Sequence, residues 1–92
     1  MTINVKYTAQ LKKAAGTGEE KVEIAATDNL EQLLHILAQR HEQSFSNFLF
    51  DEQGRFKNST VLVLNGKQVR LNDEVALREN DQLIFLSPIA GG

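Results

Sequence analysis

The chain opens with alternating apolar and polar residues. Ile3, Val5 and Tyr7 alternate with polar side chains, which is the period-two pattern of a half-buried strand. The same pattern recurs over residues 21–26. We predict that these two strands form a hairpin joined by a polar connection over residues 12–20.

An apolar stripe with helical spacing follows. Its residues fall at i, i+3, i+4, i+7 and i+8: Leu30, Leu33, Leu34, Leu37 and Ala38. Asp28 is followed three residues later by Glu31, which resembles a capping box. The spacing predicts a helix that runs to about His41 and covers a sheet with one apolar face.

A short second helical turn is predicted next, with Ser44 as its cap and Phe45, Phe48 and Leu49 beneath the domain. Residues 51–54 read as a turn.

The last third of the chain predicts three strands. Residues 60–64 form a continuous apolar and β-branched run, which is typical of a covered strand. Asn65-Gly66 predicts a type I′ turn, with residues 67–71 as the partner strand. Residues 82–86 form the closing strand, and residues 87–92 a flexible tail.

The order of elements is two strands, a helix and three further strands. A hairpin, a crossing helix, a second hairpin and a closing strand form the α+β β-grasp arrangement. We therefore expect one domain over residues 1–86, with a mixed sheet of about five strands, one main helix and a short second helix. The last strand is expected to lie parallel to the first, at the sheet centre.

Composition narrows the possible functions. The chain is 41% hydrophobic and 24% charged with a single proline, as expected for an ordinary globular domain. The net charge of −2 has interspersed signs, so no basic face attracts nucleic acid. No apolar run approaches the roughly 20 residues of a membrane span, and no signal peptide is evident. We expect no membrane partner and a cytoplasmic location.

The side chains offer little chemistry. There is no cysteine, which removes thiolate catalysis and sulfur-rich metal sites. His35 and His41 are six residues apart, about 240° around a helix, so we expect two solvated histidines and no metal site. Glu19-Glu20 and Asp51-Glu52 are expected to be solvated loop charges without a nearby base. No enzyme active site can be assembled from these residues.

The C-terminal residues are the exception. Gly91-Gly92 follows the closing strand through Pro88, Ile89 and Ala90. A terminal glycine has no β-carbon, so a nucleophile approaches its activated carbonyl unhindered. Two glycines also form the thinnest extended backbone, which can enter a narrow tunnel in another protein. The Gly92 carboxylate is therefore the candidate reactive group.

The chain resembles the MoaD/ThiS-type sulfur carriers, a family of prokaryotic ubiquitin-like proteins. The resemblance covers residues 5–7, 11–16, 28–34, 63–70, 77–83 and 85–92. The last two segments are similar to the family's closing pattern of a turn before Asp81, a strand, and a proline leading to two glycines. Asn80 replaces the usual glycine, which is tolerable because Asn accepts the left-handed conformation. Ser87-Pro88 stands where two prolines are common.

The resemblance implies a mechanism. An adenylating enzyme similar to the ubiquitin activators uses ATP to convert the Gly92 carboxylate to an acyl-adenylate. A sulfur donor protein then replaces AMP and leaves a thiocarboxylate, which a biosynthetic enzyme consumes. Under this reading the chain binds no cofactor and is not an enzyme, but a monomer or the small subunit of a synthase. Residues 88–91 would enter the partners.

Several alternatives stay open. Gly92 could instead be joined to lysines of other proteins, as in a ubiquitin-like modifier, or the chain could be a plain interaction module. The sulfur could serve molybdopterin, thiamine, a thiolated tRNA base or a sulfur amino acid; the length favours the molybdopterin and amino-acid branches. For docking, we expect exposed apolar residues on the open sheet face: Phe56, Val69 and one of the pair Ile84 and Leu86.

Overall fold

The computed structural model describes residues 1–57 and 59–86. Five strands and three helices follow one another along the chain: β1 (Thr2–Tyr7), α1 (Ala9–Ala15), β2 (Glu19–Glu23), α2 (Leu30–Arg40), α3 (Gln43–Leu49), β3 (Val61–Leu64), β4 (Lys67–Val69) and β5 (Asp81–Leu86). The predicted tail lies outside the described residues, and with it Pro88, Ile89, Ala90, Gly91 and Gly92.

The strands form one mixed sheet in the order β2-β1-β5-β3-β4. β5 lies at the centre, parallel to β1 and antiparallel to β3. Leu33, Leu34 and Leu37 of α2 are fully buried in one cluster with the inward residues of the sheet. The predicted β-grasp fold and its central parallel pair are confirmed.

Helix α1 is the main difference from the predicted architecture. We expected a polar connection over residues 12–20, but Ala9–Ala15 is helical and β2 already begins at Glu19. The helix has only two turns and Leu11 is its single buried residue, so it leaves no apolar stripe in the sequence. It ends at Gly16, which adopts a φ of 76°, as helix C-termini often require.

The cap of α2 is displaced by one residue from its predicted position. Asn29, not Asp28, is the N-cap: its Oδ1 accepts from the Gln32 amide at 2.9 Å, and the Gln32 side chain accepts from the Asn29 amide at 2.7 Å. Asp28 instead accepts a hydrogen bond from the backbone of Ala25 at 3.0 Å. Both pairs have the capping-box spacing, and Asn is as good a cap as Asp.

Helix α3 begins earlier than predicted, with Glu42 rather than Ser44 at its N-cap. Phe45 and Leu49 are fully buried and Phe48 is half-buried, so the predicted packing of this helix is confirmed.

The β3–β4 hairpin has the predicted turn. Asn65 and Gly66 adopt φ values of 50° and 85°, so both have the positive sign that a type I′ turn requires. The partner strand ends at Val69, two residues before its predicted end. None of the helices in the described part of the chain is long and apolar enough to cross a membrane.

Candidate functional site

The carboxyl end of β5 is where the chain leaves the sheet towards the predicted reactive residue. Leu86 pairs with Val61 of β3, and Phe85 pairs with Tyr7 of β1. Phe85 is fully buried. Gly92 follows Leu86 by six residues in the sequence, a length that spans at most about 20 Å when extended. The candidate reactive group is thus tethered to the most central strand of the fold.

The other end of β5 is fixed by a network of polar side chains. Asp81, which is 9% exposed, accepts hydrogen bonds from the Asn65 side chain and the Arg78 amide, each at 2.8 Å. The Asn65 side chain also accepts from the Gln82 amide at 2.8 Å. These bonds connect the β3–β4 turn to the start of β5. They also supply the hydrogen-bond donors that a buried carboxylate requires.

An apolar patch lies on the open face of the sheet, beside the end of β5. Ile84 and Leu86 point to this face, and their cross-strand partners Val63 and Val61 share it. Leu86 is 43% exposed and is the one large hydrophobic side chain among the described residues classed as exposed. The other three are half-buried. We call these four residues the open-face patch.

The structure corrects two of the exposure predictions made for this face. Ile84 and Leu86 were expected to differ in exposure, but residues two apart in a strand share a face, so both point outward. Val69 is only 8% exposed. The two-residue turn pairs it with the buried Leu62, and cross-strand partners point to the same side of a sheet.

Phe56 lies outside the five sheet strands, in an isolated bridge with Phe50. It is half-buried and packs edge-on against Phe50, with ring centroids 6.3 Å apart. It lines a surface pocket together with Val69 and Val61. Val61 is also part of the open-face patch, so the pocket and the patch adjoin.

A cluster of polar side chains, which the sequence reasoning missed, lies between β2 and the end of α2. The Tyr7 hydroxyl donates to Oε2 of Glu20 at 2.7 Å, and Nε2 of His41 lies 2.5 Å from the same oxygen. Arg40 donates to the other carboxylate oxygen at 2.8 Å. The His41 ring also packs on Phe45, with centroids 4.4 Å apart.

These contacts correct two predictions. His41 and Glu20 are not solvated, since their side chains are only 12% and 15% exposed, and Glu20 has three side-chain partners. His35 is exposed, as predicted, and stacks on Phe50. The sequence contains an indication that Glu20 is not solvated. Glu20 precedes Val22 by two residues and so occupies an inward strand position, where a carboxylate needs a hydrogen-bond partner.

The cluster's electrostatics favour an ionised Glu20. Burial acts to raise the pKa of this carboxyl, but hydrogen bonds from Tyr7, Arg40 and His41 outweigh it and hold the pKa below its ordinary value. Burial, reinforced by the hydrogen bond to Glu20, raises the pKa of the Tyr7 phenol, so the phenol stays protonated. The cluster holds no nucleophile, and no group of three potential metal ligands occurs within residues 1–57 and 59–86. Its evident role is to tie α2 to the sheet edge.

Glu20→Gln tests that role. At neutral pH we expect the free energy of unfolding to fall by about 1–3 kcal/mol, because charge-assisted hydrogen bonds are lost in a mostly buried site. A carboxyl whose pKa is lowered by folding contributes stability above its unfolded pKa, ordinarily 4.5, and loses it as pH falls through the folded value. Denaturant unfolding should therefore show that the difference in the free energy of unfolding between wild type and variant becomes smaller below about pH 4.5.

The control for that experiment is Glu19→Gln, which removes a carboxylate from the exposed neighbour in the same strand. It should leave stability within about 0.5 kcal/mol of wild type. If the difference in the free energy of unfolding between Glu20→Gln and wild type does not change with pH, Glu20 is not stabilised in its ionised form by this cluster.

Comparison with known proteins settles the family. The sequence model of the ThiS family matches residues 5–92, nearly the whole chain. The chain belongs to the ThiS family. The match confirms the resemblance drawn from the sequence, and it runs through both C-terminal glycines.

Relatives of this ThiS-family chain are similar along their whole length. A curated molybdopterin synthase sulfur carrier subunit from Chlamydomonas reinhardtii is 28% identical over 92 residues, which cover 100% of both chains. The crystal structure of SAMP1 from Haloferax volcanii superposes with a TM-score of 0.88 at 22% identity, covering 100% of both chains. The small archaeal modifier protein 1 from Methanosarcina acetivorans has a TM-score of 0.79 at 26% identity, covering 99% of this chain and 96% of that one.

Proposed function

We propose that this ThiS-family protein carries sulfur on the carboxylate of Gly92. The observation that carries the proposal is the family match, which continues through Gly91-Gly92 to residue 92. The algal relative, aligned from end to end, is a sulfur carrier subunit. The cysteine-free composition fits, because sulfur then has no side-chain thiol on which to reside.

The chemistry proceeds in balanced steps on a partner enzyme. A Gly92 carboxylate oxygen attacks the α-phosphorus of ATP and pyrophosphate leaves, which forms an acyl-adenylate. The persulfide of a sulfur donor protein attacks the carbonyl carbon, and AMP leaves with the bonding electron pair. A second thiol then attacks the sulfur–sulfur bond of the resulting acyl persulfide, which gives a disulfide on the donor and a thiocarboxylate at Gly92.

The carrier's own contribution is presentation rather than catalysis. The described residues hold no catalytic constellation, and Gly92 offers an unhindered carbonyl. We propose that the partner binds ATP and supplies the catalytic groups, so the carrier itself binds no cofactor and is not an enzyme. Activation then takes place wherever ATP and the partner occur, for which we propose the cytoplasm.

The open-face patch is the proposed docking surface. It ends at Leu86, the residue from which residues 87–92 continue, so a partner that covers Leu86 and Ile84 lies beside the start of the tail. An apolar patch with a large exposed side chain is typical of interaction sites. Phe56, which is half-buried, would contribute through the adjoining pocket. We propose residues 88–91 as the segment that enters the partner.

ATP–pyrophosphate exchange tests the activation step. A purified adenylating enzyme from the same organism should exchange labelled pyrophosphate into ATP only when the carrier is present, because the reverse reaction requires the acyl-adenylate. Exchange that is independent of the carrier, or absent with every adenylating enzyme of the organism, would overturn the proposal.

The relative supports a proposal for the destination of the sulfur. The algal protein is a subunit of a molybdopterin synthase, so we propose molybdopterin as the first product to test and a synthase large subunit as a stable partner. Co-purification of a hetero-oligomer with that subunit is the expected result. Co-purification with a sulfur amino-acid enzyme instead would redirect the pathway and leave the carrier chemistry intact.

A second candidate function is protein modification. It is favoured by the similarity to the archaeal modifier, at 26% identity. In this reading a lysine amine attacks the acyl-adenylate and AMP leaves, which forms an isopeptide bond through Gly92. Lysates probed with an antibody against the carrier would then show a ladder of higher-mass conjugates that vanishes when Gly92 is deleted.

A further inference from the structure

The surface pocket beside the open-face patch lies where β4 ends. Its volume is ≈ 590 Å³, which is within the range of ligand pockets. Three half-buried apolar residues line it: Phe56, Val61 and Leu71. Since Val61 also belongs to the open-face patch, one apolar surface continues from the sheet into the cavity. We call this cavity the β4 pocket.

The pocket is open because the chain leaves the sheet soon after β4 begins. The pairing of β3 with β4 extends only to Leu62 and Val69, whereas Val61 is still paired with β5. Arg70, the next residue after β4, belongs to a local turn. Its amide donates to Oδ2 of Asp73 at 2.9 Å, and its carbonyl oxygen accepts from the Asp73 amide at 3.0 Å. This turn satisfies the Arg70 backbone without β3 and leaves the pocket between the two.

Arg70 places a positive charge at the rim of the pocket. Its side chain is exposed and lines the cavity. Within residues 1–57 and 59–86 its guanidinium has neither an ion pair nor a hydrogen bond, since Asp73 binds the Arg70 amide instead. The chain as a whole has a net charge of −2, so Arg70 is not part of a generally basic surface. An apolar cavity with an available arginine at its edge is therefore a specific local feature.

We propose that the β4 pocket receives an apolar side chain of the adenylating partner and that Arg70 binds a carboxylate beside it on the same partner segment; the inference rests on the proposed function of Gly92. A guanidinium binds a carboxylate through two parallel hydrogen bonds. Arginine beside an apolar cavity is a frequent source of binding energy in protein interfaces. Because the pocket continues the open-face patch, a partner that covers Ile84 and Leu86 can also fill it.

Arg70→Glu tests the charge. In steady-state adenylation at about 0.15 M salt, KM for the carrier should rise about tenfold. The value of kcat should change little, because this contact serves docking and not the chemical step. Arg70→Lys keeps the charge but loses the two parallel hydrogen bonds, so KM should rise about threefold.

Lys67→Glu is the matched control for the charge. Lys67 is exposed on the same strand, but it pairs with the buried Leu64 and so lies towards the other face of the sheet. It is three residues from Arg70, about 10 Å along the strand, a distance at which exposed charges are largely screened. Its KM should stay within about twofold of wild type.

Asn72→Trp tests the pocket without a change of charge. Asn72 is exposed, lines the cavity and does not have a positive φ, so the turn accepts a tryptophan there. The indole ring would occupy the space that the partner's side chain needs, and KM should rise about tenfold with kcat unchanged. Asn72→Ala leaves the cavity open and should behave as wild type.

A direct measurement of the Kd between carrier and adenylating enzyme without ATP separates this inference from the proposed function. Losses of affinity that parallel the rises in KM would support the inference. If wild type is adenylated and neither Arg70→Glu nor Asn72→Trp weakens binding, the inference is wrong and the carrier function stands. If wild type binds through Arg70 but is never adenylated, the carrier function falls and the docking surface stands. If it neither binds nor is adenylated, both fall.

Two further measurements cover the remaining outcomes. Sedimentation of the carrier alone should show a monomer; a dimer that Arg70→Glu abolishes would assign the pocket to a second copy of this chain and overturn the inference. Should Arg70→Glu not fold, Arg70→Gln removes the charge without adding another. It should raise KM about threefold, and an unchanged KM would contradict the role of Arg70.

Discussion

Deleting Gly92 is expected to slow adenylation by at least about a hundredfold while leaving the fold intact. The variant still ends in a glycine carboxylate, now that of Gly91, so its chemistry is unchanged. The carboxylate is retracted by about 3.4 Å, which is enough to remove it from in-line attack on the α-phosphorus. The rate of ATP–pyrophosphate exchange measures the loss, and the thermal midpoint should not change.

Two control variants sharpen that experiment. Adding one glycine after Gly92 shifts the carboxylate in the opposite direction and should slow the reaction by a similar factor. Ala90→Gly keeps the length and both terminal glycines, so it should react at close to the wild-type rate. Activity in the deletion variant comparable to that of Ala90→Gly would show that the reach of the terminal carboxylate does not limit adenylation, which would contradict this prediction.

Leu86→Asp should lower kcat/KM for adenylation by about ten- to a hundredfold, because it places a charge within the proposed apolar interface. Leu86 is 43% exposed and points away from the core. The free energy of unfolding should therefore change by only about 0.5 kcal/mol. Enzyme kinetics and denaturant unfolding of the same preparation test the two statements together.

Gln82→Asp is the matched control for that substitution. Gln82 lies on the same strand and the same face, but at the opposite end of β5, next to the Asn65 and Asp81 network. It gains the same charge outside the open-face patch and should keep kcat/KM within about twofold of wild type. Equal losses in both variants would show that general charge repulsion, and not the patch, governs recognition.

The sequence predicted the fold wherever a pattern was long or its turn chemistry was specific. The α2 stripe, the Asn65-Gly66 turn and the pairing of β5 with β1 all occur as expected. Helix α1 was not predicted, because two turns with one buried leucine show no repeating pattern of apolar residues. The observed N-cap of α2 lies one residue after the predicted one. Asp28 with Glu31 and Asn29 with Gln32 have the same capping-box spacing, so the local sequence does not distinguish the two positions.

Side-chain contacts within the folded domain were harder to predict than the order of its strands and helices. Val69 could have been assigned to the core from the two-residue turn alone, since the turn pairs it with Leu62. The Glu20 cluster joins residues about 20 positions apart, and only the folded sheet brings Arg40 and His41 to β2. The inward position of Glu20 signalled that a partner was needed, but not which side chains would provide it.

We propose above that sulfur is carried on the Gly92 carboxylate. The most direct test of this proposal is the intact mass of the carrier after incubation with the adenylating enzyme, ATP, a sulfur donor protein and a thiol reductant, followed by fragmentation. We predict the mass gain of one oxygen-to-sulfur exchange, located on Gly92 and absent when ATP is omitted. An unchanged mass in the presence of active adenylation, or sulfur located on any other residue, would contradict sulfur carriage on Gly92.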